Sequence, residues 1–221
     1  MAPRRLRRHA AALIGALARA RGAQGMAAAR WALAYHAAML EQRIQQQFFE
    51  GADLQYQTAE SLARPIAQAA GAIVDALTAG NKLLLCGTGG ASGGAGLAHH
   101  AAALLVSGFE RERPPLAAIA IAPETASVQA LGLPGDLLLL VDAAGSELDA
   151  CMAAVRAAQG KDMTVVLLVG SSGDGLRETL AETDLHIAVP HERASRVLES
   201  HLLVLHALLD AVDAQLLGDP E

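Results

Sequence analysis

Residues Asn81–Leu105 read NKLLLCGTGGASGGAGLAHHAAALL. An apolar run, a glycine-rich turn and a helical stretch follow one another without a break. The run Leu83-Leu84-Leu85-Cys86 has no polar face, so it suits a strand covered on both sides. The turn after it, Gly87-Thr88-Gly89-Gly90-Ala91-Ser92, supplies the backbone freedom a strand needs to reverse into a helix. Such a turn also aims amide groups toward a helix N-terminus, where an anion is favoured. Two readings stand for it. One is a phosphate cradle helped by the Thr88 and Ser92 hydroxyls; the other is a tight turn that needs glycine for its angles alone.

Further along the chain the pattern repeats. Leu116–Ala122, Asp136–Asp142, Met163–Gly170 and Leu185–Pro190 are further apolar runs of strand length. Helical stretches are expected near 94–106, 146–159 and 174–181, and a long helix, ASRVLESHLLVLHALLDAVDAQLL, closes the chain. The segment APETASVQALGLP reads as a short connection. Upstream, residues 39–80 read as two helices, with Pro65 starting the second and Gly80 stopping it. Strands that alternate with helices predict an α/β fold with a doubly wound parallel sheet of about five strands, of flavodoxin type. An N-terminal helical hairpin and the long C-terminal helix complete it.

Composition narrows the function. Of 221 residues, 52% are hydrophobic, yet no apolar run reaches the ~20 residues of a membrane span. Aromatics are 3%, too few for platforms that stack single-stranded nucleic acid. Cys86 and Cys151 match neither a zinc spacing nor a disulfide framework, which implies a reducing, cytoplasmic setting. Residues 1–40 carry seven arginines and no acid, and the other ten basic residues face all 23 acids, leaving −13 on residues 41–221. An acidic body argues against nucleic-acid binding by the core domain and suits a basic protein partner. Residues 1–38 form a basic Ala/Arg-rich extension with three open readings: a targeting peptide, a nucleic-acid arm, or upstream text translated from a mis-set start. Residues 1–25 are expected to be poorly ordered, and residues 39–217 to form a single domain.

The order LLLCGTGG, HHAAALLVSGFERERPPLAAIAI, GDLLLLVDAAGS, KDMTVVLLVG and IAVPHERASRVLESH resembles the sugar isomerase (SIS) domain family. The likeness covers about Met39 to Asp213 and lies in the branch that holds phosphoheptose isomerase and the DnaA initiator-associating protein. MLEQRIQQQF, FERERP, KDMTVV and PHERASRVLESH make the second the nearer likeness. The resemblance implies an SIS-like doubly wound sheet, a homotetramer, and ligands bound at the carboxyl ends of the strands.

It also implies a site, and this chain departs from it. Gly87, Thr88, Gly89, Gly90 and Ser92 stand where the family has a Cys-Gly-Asn-Gly run and a serine. Asp142, Ser146 and Glu147 stand in the family's serine/threonine-rich phosphate loop, with Ser146 expected to cap the next helix and Asp149 as its partner. Carboxylates there would repel a phosphate. A like-charge pair at ~4 Å costs about 4 kcal/mol at an effective dielectric of ~20. Phosphoheptose isomerases use a glutamate and a histidine, and a metal can bind nearby. His100 matches the histidine, but Leu104 stands at the glutamate and Leu198 at a glutamine, with His201 retained. His100 and His201 are thus the candidate catalytic residues, and no metal site and no cofactor are expected. The expectation that follows is a catalytically degenerate SIS protein that binds DnaA and regulates replication initiation. The alternative is a sedoheptulose 7-phosphate isomerase or a module binding a carbohydrate derivative, with a sugar phosphate as ligand.

Overall fold

A computed structural model describes residues 23–89, 93–145 and 147–218. The extension expected to be poorly ordered therefore lies mostly outside the described residues. The elements run α1 (Ala23–Thr78), β1 (Leu83–Gly87), α2 (Gly94–Ser107), β2 (Ala118–Ile121), α3 (Thr125–Leu131) and β3 (Leu137–Asp142). They continue with α4 (Leu148–Gln159), β4 (Thr164–Gly170), a 3₁₀ helix (Ser171–Thr179), β5 (Leu185–Val189) and α5 (Ala194–Leu217). All five strands are parallel, in the order β2-β1-β3-β4-β5. This is the doubly wound, flavodoxin-type sheet the sequence predicts.

Strand residues alternate between two cores. Leu83, Leu85, Leu137, Leu139, Val166 and Leu168 pack on one face with α1, α2 and α5. Leu84, Cys86, Leu138, Leu140, Val165 and Leu167 pack on the other with α3, α4 and the 3₁₀ helix. Successive strand side chains point to opposite faces, so a sheet covered on both sides needs unbroken apolar runs. Both cysteines lie in the second core as free thiols. Burial pushes Cys86 up to about 12, helped by neighbouring Cys151. Burial likewise pushes Cys151 up to about 12, with the Asp142 and Glu147 carboxylates adding to it.

The chain divides into two units, Met1–Ala52 and Asp53–Glu221. In the first, the described residues are helical, Trp31 and Tyr35 stack at 5.7 Å, and Leu40, Ile44, Phe48 and Phe49 are exposed. The second holds the sheet and both cores. The expected hairpin is one continuous helix, α1, with Pro65 inside it. Pro65 removes one helical N–H at a cost of ~3 kcal/mol in a helix interior. Burial of Leu54, Leu62, Ala69, Ala70 and Ile73 on either side of it favours continuation. The backbone runs helical through position 38/39, where the domain boundary was expected. The connection APETASVQALGLP holds a further helix, α3, and the stretch expected as a helix over 174–181 is 3₁₀.

Candidate functional site

In this strand order β1 is flanked by β2 on one side and β3 on the other, so the winding reverses between β1 and β3. Open α/β sheets bind ligands outside the carboxyl ends of the strands at that reversal. The loops after Gly87 and Asp142 meet there. Their approach is close. A Cβ on Gly87 would lie 2.2 Å from the Gly94 carbonyl carbon, and one on Gly94 would lie 2.3 Å from the Val141 carbonyl oxygen. Two glycines are therefore required by contact between backbones. Gly89 faces open space, so neither contact nor a turn angle demands it.

Thr88 and Asp142 join the two loops. The Thr88 hydroxyl donates to Asp142 Oδ1 at 2.8 Å, and the Ala144 and Gly145 amides donate to the same oxygen at 3.1 and 3.2 Å. The Thr88 amide donates to the Val141 carbonyl at 3.1 Å, and its carbonyl accepts the Ala95 amide at 2.9 Å. Both side chains are fully buried. Asp142 Oδ2 has no hydrogen-bond partner among the described residues. The expectation of a carboxylate facing an incoming phosphate is thus corrected for Asp142: its own loop's amides turn it inward. Glu147 and Asp149 do flank a shallow opening of about 480 Å³ at the start of α4. Glu147 is the N-cap residue and makes no side-chain cap bond.

His201, on α5, is fully buried, and neither ring nitrogen makes a hydrogen bond of good geometry. Burial pushes it down to about 4; the Val169 carbonyl and the Asp142 carboxylate oppose that shift weakly. It is a neutral ring at pH 7.

The pairing of His100 with His201 is not what the fold builds. His201 has no exposed surface, and His100 meets His206 instead, with 3.1 Å between their Nε2 atoms. The Phe109 ring packs on His206 at 5.1 Å between centroids. His100 is exposed and His206 half-buried. Gly93 at the head of α2 touches Leu198 on α5. Seven residues on in α2 and eight on in α5 bring the two histidines together. Two helices lying side by side in the same direction give that matched spacing. Arg113 locks the pair of helices: it donates to Asp213 at 2.5 Å and to the Leu105 and Leu104 carbonyls at 2.7 and 3.2 Å, with the ion pair almost fully buried.

Two imidazoles at this separation, each with a ring nitrogen facing the other, suit proton transfer. In a hydrogen bond between them one ring donates and the other accepts. They do not fit the catalytic metal that the resemblance allows. Catalytic zinc takes three protein ligands, while Leu104 and Leu198 pack on the core. No group of three potential ligands occurs among the described residues. Gly90, Ser92 and Ser146 lie outside the described residues.

Residues 47–131 match the family model described as SIS domain. The chain is 48% identical to a phosphoheptose isomerase of Methylibium petroleiphilum, over 83% of this chain and 98% of that protein. It is 39% identical to one of Azoarcus sp., over 81% and 98%. Among solved structures it is similar to a phosphoheptose isomerase from Neisseria gonorrhoeae, with TM-score 0.70 and 30% identity, covering 79% of this chain and 99% of that one. One from Francisella tularensis matches with TM-score 0.70 and 32% identity, over 78% and 97%. These relatives carry the isomerase name and not that of the DnaA-associating protein. They overturn the expectation of a degenerate DnaA-binding regulator, and with it the reading of the chain as a non-enzyme. The chain belongs to the phosphoheptose isomerase branch of the SIS-domain family.

Proposed function

We propose that the protein is a sugar-phosphate isomerase that moves a carbonyl between C1 and C2 of sedoheptulose 7-phosphate. The observation that carries this is the 48% identity across nearly the whole length of a phosphoheptose isomerase. The accessible His100–His206 pair supplies what the reaction needs. One imidazole, unprotonated at Nε2, takes the proton from the carbon beside the carbonyl. The other, carrying Nε2–H, protonates the carbonyl oxygen, and an enediol forms. Return of a proton to the neighbouring carbon, with loss of the proton on the other oxygen, gives the aldose. Each step needs a group within hydrogen-bond reach of the moving proton. The head of α2, with its glycine-rich approach, favours an anionic end of the substrate.

A homotetramer in the cytoplasm accords with this reading. Exposed Leu40, Ile44, Phe48 and Phe49 are surface that an assembly covers. An apolar groove of about 400 Å³, lined among others by Ala59, Ala63, Ile66 and Leu203, is more of the same kind. The two free, buried thiols suit a reducing compartment. Among the described residues no helix is long and apolar enough to cross a membrane.

Incubation of the protein with sedoheptulose 7-phosphate in D₂O, followed by NMR, tests the activity. The expected result is a new aldose C1 signal together with deuterium entering at the carbon that exchanges its proton. Neither conversion nor exchange at high enzyme concentration would sink the reading.

A further inference from the structure

The histidine pair depends on two helices that enter from different strands, α2 after β1 and α5 after β5. Something must fix their relative position to well under an ångström for proton transfer. One buried carboxylate is tied to the entry of the first. Asp142 Oδ1 accepts from Thr88, whose carbonyl in turn accepts the Ala95 amide in the first turn of α2. Six residues along α2 from Gly94 stands His100. The Asp142 charge also reaches His201, five residues before His206 on α5. Asp142 Oδ2 is buried without a hydrogen-bond partner among the described residues. Buried polar atoms left unpaired cost stability, and where they persist they call for a reason.

We propose that Asp142 is a positioning residue of this site, a carboxylate that through Thr88 holds the start of the helix carrying His100, and so His100 against His206. This rests on the isomerase reading for its kinetic consequence, though not for its structural one. Asp142 touches no substrate. Oδ1 holds the β1 turn and the start of α2. Residues 144 and 145 are held by the same oxygen, so the β3 loop is set in the same stroke.

The test uses the full chain and the variants Asp142→Ala, Thr88→Val and Thr88→Ser. It reads kcat and KM with sedoheptulose 7-phosphate, thermal stability, and the ring ¹⁵N signals of His100 and His206. Misplacement of reacting groups by ~1 Å costs about 10²-fold in rate. Asp142→Ala is therefore expected to lower kcat about 10²-fold with KM little changed, and to shift the ring signals of the pair. Thr88→Val, which loses one hydrogen bond, is expected to lower kcat about tenfold, and Thr88→Ser to restore most of it. Lower stability with kcat, KM and ring signals unchanged overturns the proposal and leaves Asp142 purely structural. If Asp142→Ala does not fold, the Thr88 pair decides by the same criteria. If the wild type turns nothing over, the isomerase reading falls, and the ring signals alone decide: shifted signals sustain the positioning role, and unmoved signals end it.

Discussion

The two ends of the sheet treat their aspartates differently. At the amino end, Asp136 uses both oxygens: Oδ1 takes the Lys82 amide at 3.0 Å, and Oδ2 takes the Lys82 ammonium at 2.5 Å and the Leu133 amide at 2.8 Å. Asp184 does the same, with the Val165 amide at 2.8 Å on Oδ1 and Gln159 and the Ala181 amide at 2.7 and 2.8 Å on Oδ2. At the carboxyl end, Asp142 crowds three donors onto one oxygen and leaves the other without a partner among the described residues. A fully satisfied carboxylate fastens loops and does nothing else. A half-satisfied one marks the end where local rules give way to chemistry. The histidine pair lies on the two helices that this end anchors.

The contrast can be broken in four ways. The largest effect is expected from His206→Ala, which removes one member of the acid–base pair. Positioned proton transfer is worth 10²–10⁴-fold, so kcat should fall by about that much while the unfolding transition barely moves. His100→Ala should match it, and the double variant should be little worse than either, because the two act as one unit. A double variant that multiplies the losses would show two independent residues instead of a pair.

Asp136→Ala probes the other end. It leaves a half-exposed ammonium and two backbone amides without their acceptor, a loss of about 3 kcal/mol in urea unfolding. Activity per folded molecule should stay constant. Burial pushes Asp136 up, but the bonds to Lys82 and Leu133 prevail and hold the carboxyl below its usual 3.8. Its contribution is therefore complete above about pH 4 and fades as acid protonates it. A catalytic defect in this variant would erase the distinction between the two ends.

His201 gives the next effect. Its folded-state value of about 4 lies below the ordinary 6.5, so the unfolded chain takes up the proton first as pH falls. Stability should drop between pH 6.5 and 4, by up to about 3 kcal/mol from this residue, and be unaffected by it above 6.5. His201→Leu should flatten that part of the stability–pH curve. An equally steep curve in the variant would place the titrating group elsewhere.

The smallest is Leu104→Glu with Zn²⁺. The substitution adds a carboxylate one helical turn from His100 and so a third ligand beside the two imidazoles. Zn²⁺ at ~100 times its dissociation constant should stabilise the variant by about 2.7 kcal/mol and leave the wild type unmoved. A comparable shift in the wild type would mean that the two histidines recruit a third ligand on their own.

Much of this was legible in the residues. Unbroken apolar runs gave the parallel sheet, because covered strands cannot alternate. The close glycines at 87 and 94 were foreshadowed by the turn between them. Other features depended on context. Pro65 is a good helix starter and only a poor interior residue, so the sequence favoured two helices where burial on both flanks sustains one. Asp142 reads as a surface charge beside a helix start, since nothing local shows that Thr88, 54 residues away, turns it inward. His206 was passed over for His201 because one helix alone does not say which of its histidines faces a neighbour. The Gly93–Leu198 contact is what sets that register.

The two cysteines have a practical consequence. They are the only ones in the chain, and both are buried thiols held near 12. Maleimides and other thiol reagents attack the thiolate at an accessible sulfur, so the native protein offers them almost nothing. A single cysteine placed on the surface, at His99 for example, would carry a fluorophore or spin label free of background. The motions of α2 against α5 could then be followed during turnover in the otherwise unaltered protein.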